Sequence, residues 1–310
     1  TQEIAIDLGT ANTLIIQDDQ VVVDEPSIVA IDRRSGEAIA VGKKAMMMHE
    51  KTHGEIKTIR PLKDGVIADF QAAESMIEGF INMTGTRRRF FNNLKMVICI
   101  PSGITEVEKR AVFDSAEHVD AKETYLIHEP MAAALGIGLN VEEPIGNMII
   151  DIGGGTTEIA VIALSGIVCD QSIRIAGDEF TSDITNYMKR QHNILIGERT
   201  AERIKINVGS ALHELEEPPE DFPVNGRDLM TGIPKQITVS YSEISHALDK
   251  SISKVEDAIL KALENTPPEL AADIYQTGLY LTGGGALLRG LDKRIAQKTK
   301  LQVHVADDPL

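Results

Sequence analysis

The chain has 310 residues, of which 43% are hydrophobic and 25% charged, and its formal net charge at pH 7 is −16. This length allows roughly two domains with buried cores, whereas the negative charge repels phosphate backbones, so we expect no nucleic-acid partner. No apolar run reaches the roughly 18 residues of a membrane span, and the first residues lack a secretion signal, so we expect a cytoplasmic protein. Cys99 and Cys169 stand in apolar runs and are expected to be buried free thiols.

The chain begins with short segments rich in isoleucine and valine, which predict an antiparallel meander of strands. These segments are Glu3–Ile6, Thr13–Gln17, Val21–Val23 and Ser27–Ile31. The more polar stretch over about residues 33–65 is predicted to be a small inserted subdomain, and a helix is predicted at about Gln71–Met83.

The run Lys95–Ile100 is short and apolar and is stopped by a proline, which is typical of a central strand buried on both faces. Thr105 and Glu108 have the spacing of a capping box, which predicts a helix from there to about His118. Pro130 predicts the first turn of the next helix, MAAALGIGL.

The second half repeats this order of elements. A strand at Asn147–Asp151 opens a second meander that continues through Cys169, and Gly278–Thr282 is a later strand. Predicted helices follow the meander at Glu179–Gln191, Thr200–Leu212, Ser242–Glu264 and Ala286–Lys298. In the longest, a helical face is formed by Ile244, Leu248, Ile252, Val255, Ile259 and Leu263.

The repeat is clearest in two motifs, EIAIDLGTANTLII over residues 3–16 and MIIDIGGGTTEIAVI over residues 148–162. Two such modules predict an α/β fold of two similar domains that face each other. We expect the first at 1–140, with the insertion at 33–65, and the second at 141–310, with an insertion at about 178–236.

Each motif contains a tight turn of small residues, and such a turn exposes backbone N–H groups to a polyphosphate. The candidate phosphate-binding residues are Gly9, Thr10, Ala11 and Asn12 in the first turn and Gly153, Gly154, Gly155, Thr156 and Thr157 in the second. Asp7 and Asp151 precede the turns and are expected to hold Mg²⁺ through water. Either turn alone would be interpreted as an ordinary hairpin, but the matched pair, together with a third glycine turn, favours a nucleotide site.

A third glycine turn joins a strand to a helix at Gly283, Gly284, Gly285 and Ala286. The missing Cβ atoms would let an adenine and its ribose lie against the backbone.

The chain resembles the superfamily of actin, sugar kinases and heat-shock chaperone ATPases, and within it the bacterial actin-like rod-shape family, MreB. The matching motifs include IDLGTANTL, EPSIVA, IRPLKDGVIADF, CIPSGIT, EPMAAALG, DIGGGTTE, IRIAGDEF, IGERTAERIK, GRDLMTGIPK, TPPELAADI and LTGGGALLRGLD. The resemblance implies an actin-like ATPase fold whose two domains each carry a smaller inserted subdomain around a nucleotide cleft.

The resemblance also implies an activity, slow hydrolysis of ATP to ADP with Mg²⁺, coupled to homopolymer filaments that govern cell shape. It further implies cell-shape or cell-wall synthesis proteins as partners. Glu129 would orient the attacking water, assisted by Thr156, while Glu202 and Lys205 would contact the adenosine end together with the third glycine turn. A carboxylate at a helix start can accept a hydrogen bond from water, which agrees with this role for Glu129. Without the resemblance, Glu202 and Lys205 would be interpreted as a surface ion pair.

Three arginines and two phenylalanines, Arg87, Arg88, Arg89, Phe90 and Phe91, form the one basic and aromatic cluster. By resemblance this segment would bind the inner face of the cytoplasmic membrane, placing the protein at the membrane periphery. Apolar burial and attraction to anionic headgroups support that interpretation. The alternative is that the phenylalanines fold into the core and the arginines solvate a turn.

Two other functions are known on this type of fold. A small-molecule kinase of the sugar type would need a base aimed at a substrate hydroxyl, and no separate aspartate motif provides one. A chaperone-type ATPase would need an appended β-rich peptide-binding domain, for which no residues remain. The filament-forming ATPase is therefore the leading prediction and the kinase its alternative.

Overall fold

The structure is a computed structural model that describes residues 2–85 and 94–309. The chain divides into two compact units, Thr1–Ala132 and Ala133–Leu310.

Unit 1 is built on a five-stranded sheet with the order β10-β9-β1-β2-β3. Its strands are β1 (Gln2–Leu8), β2 (Asn12–Gln17), β3 (Gln20–Pro26), β9 (Leu94–Ile100) and β10 (Ala121–His128). The first three form the predicted antiparallel meander, and β9 and β10 run parallel to β1. The fourth predicted member, Ser27–Ile31, was assigned wrongly, because the chain leaves this sheet after Pro26 and enters a smaller one.

The smaller sheet of unit 1 has the order β5-β4-β6 and a helix packed on it. Its elements are β4 (Val29–Asp32), β5 (Ala38–Val41), α1 (Gly42–Met48) and β6 (Ile56–Ile59), followed by the short hairpin of β7 (Leu62–Lys63) and β8 (Val66–Ile67). Ile28, Ala30 and Ala45 form its small buried core. This sheet begins at Val29, within a few residues of the segment predicted to be an insertion.

Strand β9 lies in the middle of the large sheet, as predicted, but it is buried on one face only. Leu94, Met96, Ile98 and Ile100 are buried and pack with residues of α2 (Phe70–Met83) and α3 (Glu106–His118). Val97, which points to the opposite face, is 37% exposed. The prediction of two buried faces was wrong because an apolar sequence does not reveal that both helices pack on the same side.

The helix ends in unit 1 follow from capping chemistry. At α3 the predicted capping box is confirmed: Thr105 Oγ1 accepts from the backbone N–H of Glu108 at 3.2 Å, and Glu108 Oε2 accepts from the Thr105 N–H at 2.8 Å. Asp69 caps α2 by accepting from the N–H of Ala72. These bonds satisfy N–H groups that have no partner within the helix.

Unit 2 contains a second five-stranded sheet, with the order β13-β12-β11-β17-β18. Its strands are β11 (Asn147–Ile152), β12 (Thr157–Ala163), β13 (Gly166–Ile173), β17 (Leu279–Thr282) and β18 (Val303–Val305). Strands β11 to β13 form the second predicted meander, and β17 and β18 run parallel to β11. Every residue of β12 is buried, so this strand has the two covered faces that β9 lacks.

A smaller sheet and a set of helices complete unit 2. The small sheet, with the order β14-β15-β16, consists of β14 (Ile194–Leu195), β15 (Phe222–Asp228) and β16 (Pro234–Val239). The helices are α4 (Glu129–Gly136), which begins in unit 1, α5 (Gly177–His192), α6 (Glu198–Val208), α7 (Tyr241–Glu264), α8 (Pro268–Thr277) and α9 (Leu291–Thr299). Among the described residues, no helix is both long enough and apolar enough to cross a membrane.

Two helix predictions in unit 2 need correction. The helix expected to reach Leu212 ends at Val208, where Gly209 takes an extended conformation. The helix expected at Ala286–Lys298 is a short 3-10 helix, Gly284–Leu287, followed by α9, because Gly290 adopts a left-handed conformation with φ +73°. The predicted apolar face of α7 is confirmed, with only Leu263 less than fully buried.

Both cysteines are free thiols, as predicted, but each is partly exposed rather than fully buried. Cys169 on β13 has its Sγ 3.6 Å from Thr266 Oγ1, just beyond the end of α7. This contact fixes that end of α7 against the sheet.

Arg294 on α9 joins two helices of unit 2 through a nearly buried charge cluster. Its guanidinium donates to both carboxylate oxygens of Glu256, to Asp249 and Ser253 on α7, and to the carbonyl of Ala211. The side chains of Arg294 and Glu256 are only 13% and 8% exposed.

Replacing Arg294 with alanine should therefore destabilise the fold. Glu256 would stay buried without its cation, and loss of one member of a buried ion pair costs about 3 kcal/mol. Chemical denaturation of R294A should lower the free energy of unfolding by about this amount. Neighbouring Lys293 pairs with an exposed Glu216, so K293A should change the free energy of unfolding by no more than about 0.5 kcal/mol. Equal losses of stability in R294A and K293A would contradict this role of Arg294.

Candidate functional site

The first glycine turn, residues 9–12, connects β1 to β2 and is held by the residues around it. A Cβ on Gly9 would lie 2.5 Å from the carbonyl oxygen of Asn12, so only glycine fits there. Ser27 donates to the carbonyl of Gly9 at 2.6 Å, and Thr10 Oγ1 accepts from the N–H of Gly65 at 2.8 Å. Accepting this bond leaves the O–H of Thr10 as a donor, so the turn can offer an anion this hydroxyl as well as its backbone N–H groups.

The second glycine turn connects β11 to β12 in unit 2 and packs against the start of α5. The N–H of Gly153 donates to the carbonyl of Thr156 at 2.9 Å, which closes the turn. The first N–H groups of α5, from Gly177 and Asp178, donate to the carbonyls of Gly153 and Gly154. The turn is thus anchored through its carbonyls.

The threonines beside this turn are nearly or fully buried. Thr156 is 7% exposed, and Thr157 is completely buried, with its hydroxyl donating to the carbonyl of Ile175 at 2.7 Å. The Thr157 hydroxyl is therefore used in a hydrogen bond within the protein. A contact between Thr157 and a nucleotide, through its backbone, stays a prediction.

The two turns occupy equivalent positions. Asp7 lies near the carboxyl end of β1, and Asp151 near the carboxyl end of β11. Each of these strands pairs antiparallel with the next strand of the chain and parallel with a later one. Asp7 is opposite Leu14 in this pairing, and Asp151 is opposite Glu158. The two sequence motifs therefore correspond to the same arrangement of strands and turn, present once in each unit.

Asp7 has an unusual electrostatic environment. Desolvation by the surrounding protein raises the pKa of its carboxyl from the ordinary value of 3.8 to about 6, while the residue itself is exposed, so that solvent screens part of this effect. A carboxylate that is poorly compensated in this way is stabilised by a cation close to it.

The third glycine turn packs directly on the end of β11. Gly283 has φ +82°, and a Cβ on it would lie 2.3 Å from Asp151 Oδ1; a Cβ on Gly285 would lie 2.2 Å from the Ile152 side chain. The third turn and the second aspartate are therefore brought together within unit 2, with no space for any larger residue at these two positions.

Glu202 and Lys205 on α6 form an ion pair, with Lys205 Nζ 2.7 Å from Glu202 Oε2, and their predicted contact with the adenosine end stays a prediction. The ammonium also donates to the carbonyl of Gly177 and to Thr181 Oγ1, each at 3.0 Å. Since Gly177 is bonded to Gly153, this network places Lys205 beside the second phosphate turn. The sequence analysis did not identify Gly177 and Thr181 as site residues. Gly177 lies within the matched motif IRIAGDEF, and Thr181 follows it directly.

Glu129 is the first residue of α4 and follows directly on the end of β10. It is partly buried, and Pro130 behind it is fully buried, in the first helical turn as predicted. The helix ends at Gly136, earlier than the predicted MAAALGIGL. The preceding residue, His128, has a buried Nδ1 for which the described residues provide no hydrogen-bond partner.

The predicted membrane-binding residues, Arg87, Arg88, Arg89, Phe90 and Phe91, lie outside the described residues. Their role stays a prediction.

Two similar sheets with matched glycine turns define the class of protein, an actin-like α/β fold. A double helical filament structure of MamK aligns over 99% of this chain and 94% of its own, with a TM-score of 0.82 at 20% identity. MreB5 of Spiroplasma citri, solved bound to ADP, aligns over 100% of this chain and 92% of its own with a TM-score of 0.94 at 40% identity.

The family profile described as MreB/Mbl protein matches residues 1–310, and the chain belongs to this family. It is 47% identical over 310 residues to the cell shape-determining protein Mbl of Bacillus subtilis, covering all of this chain and 92% of that protein. It is also 47% identical over 315 residues to the cell shape-determining protein MreB of Escherichia coli K12, covering 90% of that protein.

The raised pKa of Asp7 predicts a pH-dependent stability. The folded protein binds the Asp7 proton more tightly than the unfolded chain, so the free energy of unfolding should fall as the pH rises from about 4 to about 6. In Asp7→Asn this slope should be weaker, and the variant should be more stable than the parent at pH 7. Denaturant titrations across this range measure the effect.

Asp228 provides the control, because hydrogen bonds from Thr231 and Met230 lower its pKa to about 2. Its contribution is complete above about pH 4 and is lost only below it, so Asp228→Asn should leave the slope between about pH 4 and 6 unchanged. If the free energy of unfolding of Asp7→Asn depends on pH as steeply as that of the parent protein, the raised pKa of Asp7 is not the cause of this dependence.

Proposed function

We propose that this protein is an ATP-binding and ATP-hydrolysing actin homologue that assembles into filaments governing cell shape. The observation that carries the proposal is the repeated Asp-x-Gly turn at the end of β1 and of β11, in a chain of the MreB/Mbl family. Relatives named cell shape-determining proteins, and MreB5 structures solved with ADP and with AMPPNP, support it.

The phosphates would be bound mainly by backbone N–H groups. The first turn has a glycine, Gly9, where a side chain would collide, and both turns are fixed by hydrogen bonds to their own carbonyls. A turn held in this way presents N–H groups without further ordering, and such groups suit anionic oxygens. Each turn would bind phosphate oxygens of ATP.

The metal would be Mg²⁺, held partly by water. Among the residues that the structure describes, no group of three or more His, Cys, Asp or Glu side chains could form a cage of protein ligands. Mg²⁺ commonly uses one or two carboxylates together with substrate phosphates and water. Asp7 and Asp151 fit that mode, and the raised pKa of Asp7 agrees with a carboxylate that gains from a nearby cation.

The adenosine end would lie in unit 2, between α6 and the third glycine turn. Glu202 and Lys205 are fixed by Thr181 and the start of α5, and the base would lie against the backbone of Gly283, Gly284 and Gly285, which are partly exposed. Lys205 is well placed to act on phosphate as well, since it bonds to the residue that anchors Gly153.

Glu129 would orient the water that attacks the terminal phosphate, with Thr156 assisting. Hydrolysis of a phosphoanhydride depends more on positioning the water than on a strong base. A carboxylate on the first residue of a helix is held rigidly and can accept a hydrogen bond from that water.

Changing Glu129 to glutamine, or Thr156 to alanine, should therefore lower the rate of phosphate release from ATP by about a hundredfold. Binding of ATP, measured by calorimetry, should persist in both variants, because neither side chain is proposed to bind the nucleotide tightly. Glu106, an exposed glutamate at the start of α3, is the matched control, and E106Q should hydrolyse ATP at the parental rate. Parental hydrolysis by E129Q would remove Glu129 from the mechanism.

We further propose that residues 87–91 attach the filament to the inner face of the cytoplasmic membrane. Two phenylalanine side chains buried in lipid contribute roughly 3–6 kcal/mol, and each arginine adds about 1 kcal/mol near anionic headgroups. Ordering costs would leave a single subunit weakly bound, so attachment would depend on many subunits assembled on one filament.

Replacing Phe90 and Phe91 with serine should abolish sedimentation with liposomes that contain anionic lipid, while assembly with ATP continues. Val21 and Val22 on β3 are an exposed apolar pair, 58% and 42% accessible, and serines at those positions should leave sedimentation intact. If the phenylalanine variant sediments like the parent, the membrane proposal fails.

A further inference from the structure

The small sheet of unit 1 has an edge strand, β5, and no described strand pairs with its outer side. The four residues of β5 include neither a proline nor a charged side chain, whereas the opposite edge, β6, carries Lys57. Proteins commonly protect sheet edges with such residues, because the unpaired N–H and C=O groups of an edge can bind another strand. The sequence of β5 therefore leaves this edge able to accept a strand.

A groove of about 540 Å³ lies between β5 and α2 and is called the β5–α2 groove below. One side consists of residues 35–41, and no residue of β4 lines the groove, so it lies on the outer side of β5. The two sides meet where a Cβ on Gly79 would be 2.8 Å from Val41 Cγ2. The other side is a single stripe of α2 at helical spacing, formed by Gln71, Ser75, Glu78, Gly79 and Asn82.

A β-bulge lies in the strand that forms this groove. Ala38 and Ala40 pair with successive residues of β4, so Ile39 is an extra residue in β5. The side chain of Ile39 is 47% exposed and lines the groove. Because the extra residue of a bulge is left out of the ladder, the backbone groups of Ile39 are not used in pairing with β4.

The charged residues that line the β5–α2 groove are both acidic, Glu37 on the strand side and Glu78 on the helix side. A partner that carries lysine or arginine would complement them. A second copy of this chain would not, because two copies that met groove to groove would bring the same acidic residues together, in a chain whose net charge is −16. The charges therefore favour a basic partner of different sequence.

We infer that the β5–α2 groove binds an extended, basic peptide segment of a partner protein, which adds a strand to the edge of β5. In this mode of recognition, main-chain hydrogen bonds provide affinity and alternate side chains provide specificity. Alternate side chains of the added strand would point towards α2, where Glu78 can pair with a lysine or arginine. The inference goes beyond the proposed function, because the groove lies within unit 1 and needs neither a nucleotide nor a neighbouring subunit.

The length of the groove sets the length of the segment. The stripe from Gln71 to Asn82 extends for about 16 Å along α2, at about 1.5 Å per residue. An extended chain covers this distance with about five residues, at about 3.3 Å per residue. A short peptide is therefore a sufficient probe.

Fluorescence anisotropy with a short labelled peptide in which lysine and valine alternate tests the inference on the full chain without nucleotide. The same peptide with a methyl group on every backbone nitrogen keeps the charges and loses the N–H donors, so it should bind at least about tenfold more weakly. Equal binding of the two peptides would mean that net charge alone attracts them, and it would overturn the inference. So would a lack of binding of the unmethylated peptide to the parent protein.

Two groove variants should weaken binding of the unmethylated peptide by about tenfold or more. The first, Glu37→Lys with Glu78→Lys, replaces attraction with repulsion. The second, Ser75→Phe, fills the groove from α2, and circular dichroism melting checks that both variants stay folded.

The matched control is Glu74→Lys with Glu106→Lys, which changes the net charge by the same amount as the first groove variant. Neither residue lines the groove; Glu74 interacts with His118 on α3, and Glu106 lies at the start of that helix. The control should bind the peptide as the parent protein does. An equal loss of binding in the control, or parental binding in both groove variants, would overturn the inference.

Sedimentation without peptide tests the other occupant, a second copy. A parental dimer that Glu37→Lys with Glu78→Lys dissociates would place another copy in the groove and overturn the inference. ATP binding and assembly, measured separately, should be parental in both groove variants. Loss of ATP binding or of assembly in the parent protein would count against the proposed function, whereas loss of peptide binding alone counts against the groove.

Discussion

The architecture of unit 2 depends on a close approach of two backbones at the end of β11. Gly283 and Gly285 lie so near Asp151 and Ile152 that a Cβ at either glycine would be within 2.3 Å of a neighbouring atom. Because β17 runs parallel to β11, this contact brings the turn after β17 to the same sheet edge as the turn after β11. Any side chain at the two glycines would separate the turns, and the aspartate that precedes the second phosphate turn would lose its position.

The two units have the same strand arrangement, but the faces of their large sheets are covered to different extents. In unit 1 a helix pair packs on one face of the sheet, and Val97, Tyr125 and Ile16 stay at least 37% exposed on the other. In unit 2 every residue of β12 is buried. The phosphate turns are correspondingly different: the first is held by side-chain hydroxyls of Ser27 and Thr10, and the second by the backbone of α5.

The sequence predicted what depends on local chemistry and missed what depends on distant neighbours. The capping box at Thr105 and the apolar face of α7 were found because their signals lie within one helix. The exposed face of β9 was not predicted, because the burial of a strand depends on which side of the sheet the helices pack. In the site, glycines that permit tight turns were visible, whereas the bond between Lys205 and Gly177 joins residues 28 positions apart and leaves no periodic signal. The break before α9 follows from one glycine conformation that apolar spacing does not encode.

One helix connects the second phosphate turn to the turn between β15 and β16. Helix α5 begins with N–H groups bonded to Gly153 and Gly154, and it ends at His192, next to Asn193, whose carbonyl accepts from the N–H of Leu229 in the β15–β16 turn. Its middle is attached to α7 where Ser251 donates to Asp183, and its last turn is attached where His192 bonds to Glu243. Because a helix moves as a stiff body and packed helices slide only slightly against each other, a displacement of the phosphate turn at the first residues of α5 is carried to its last residues. The second phosphate turn and the β15–β16 turn are therefore linked through α5.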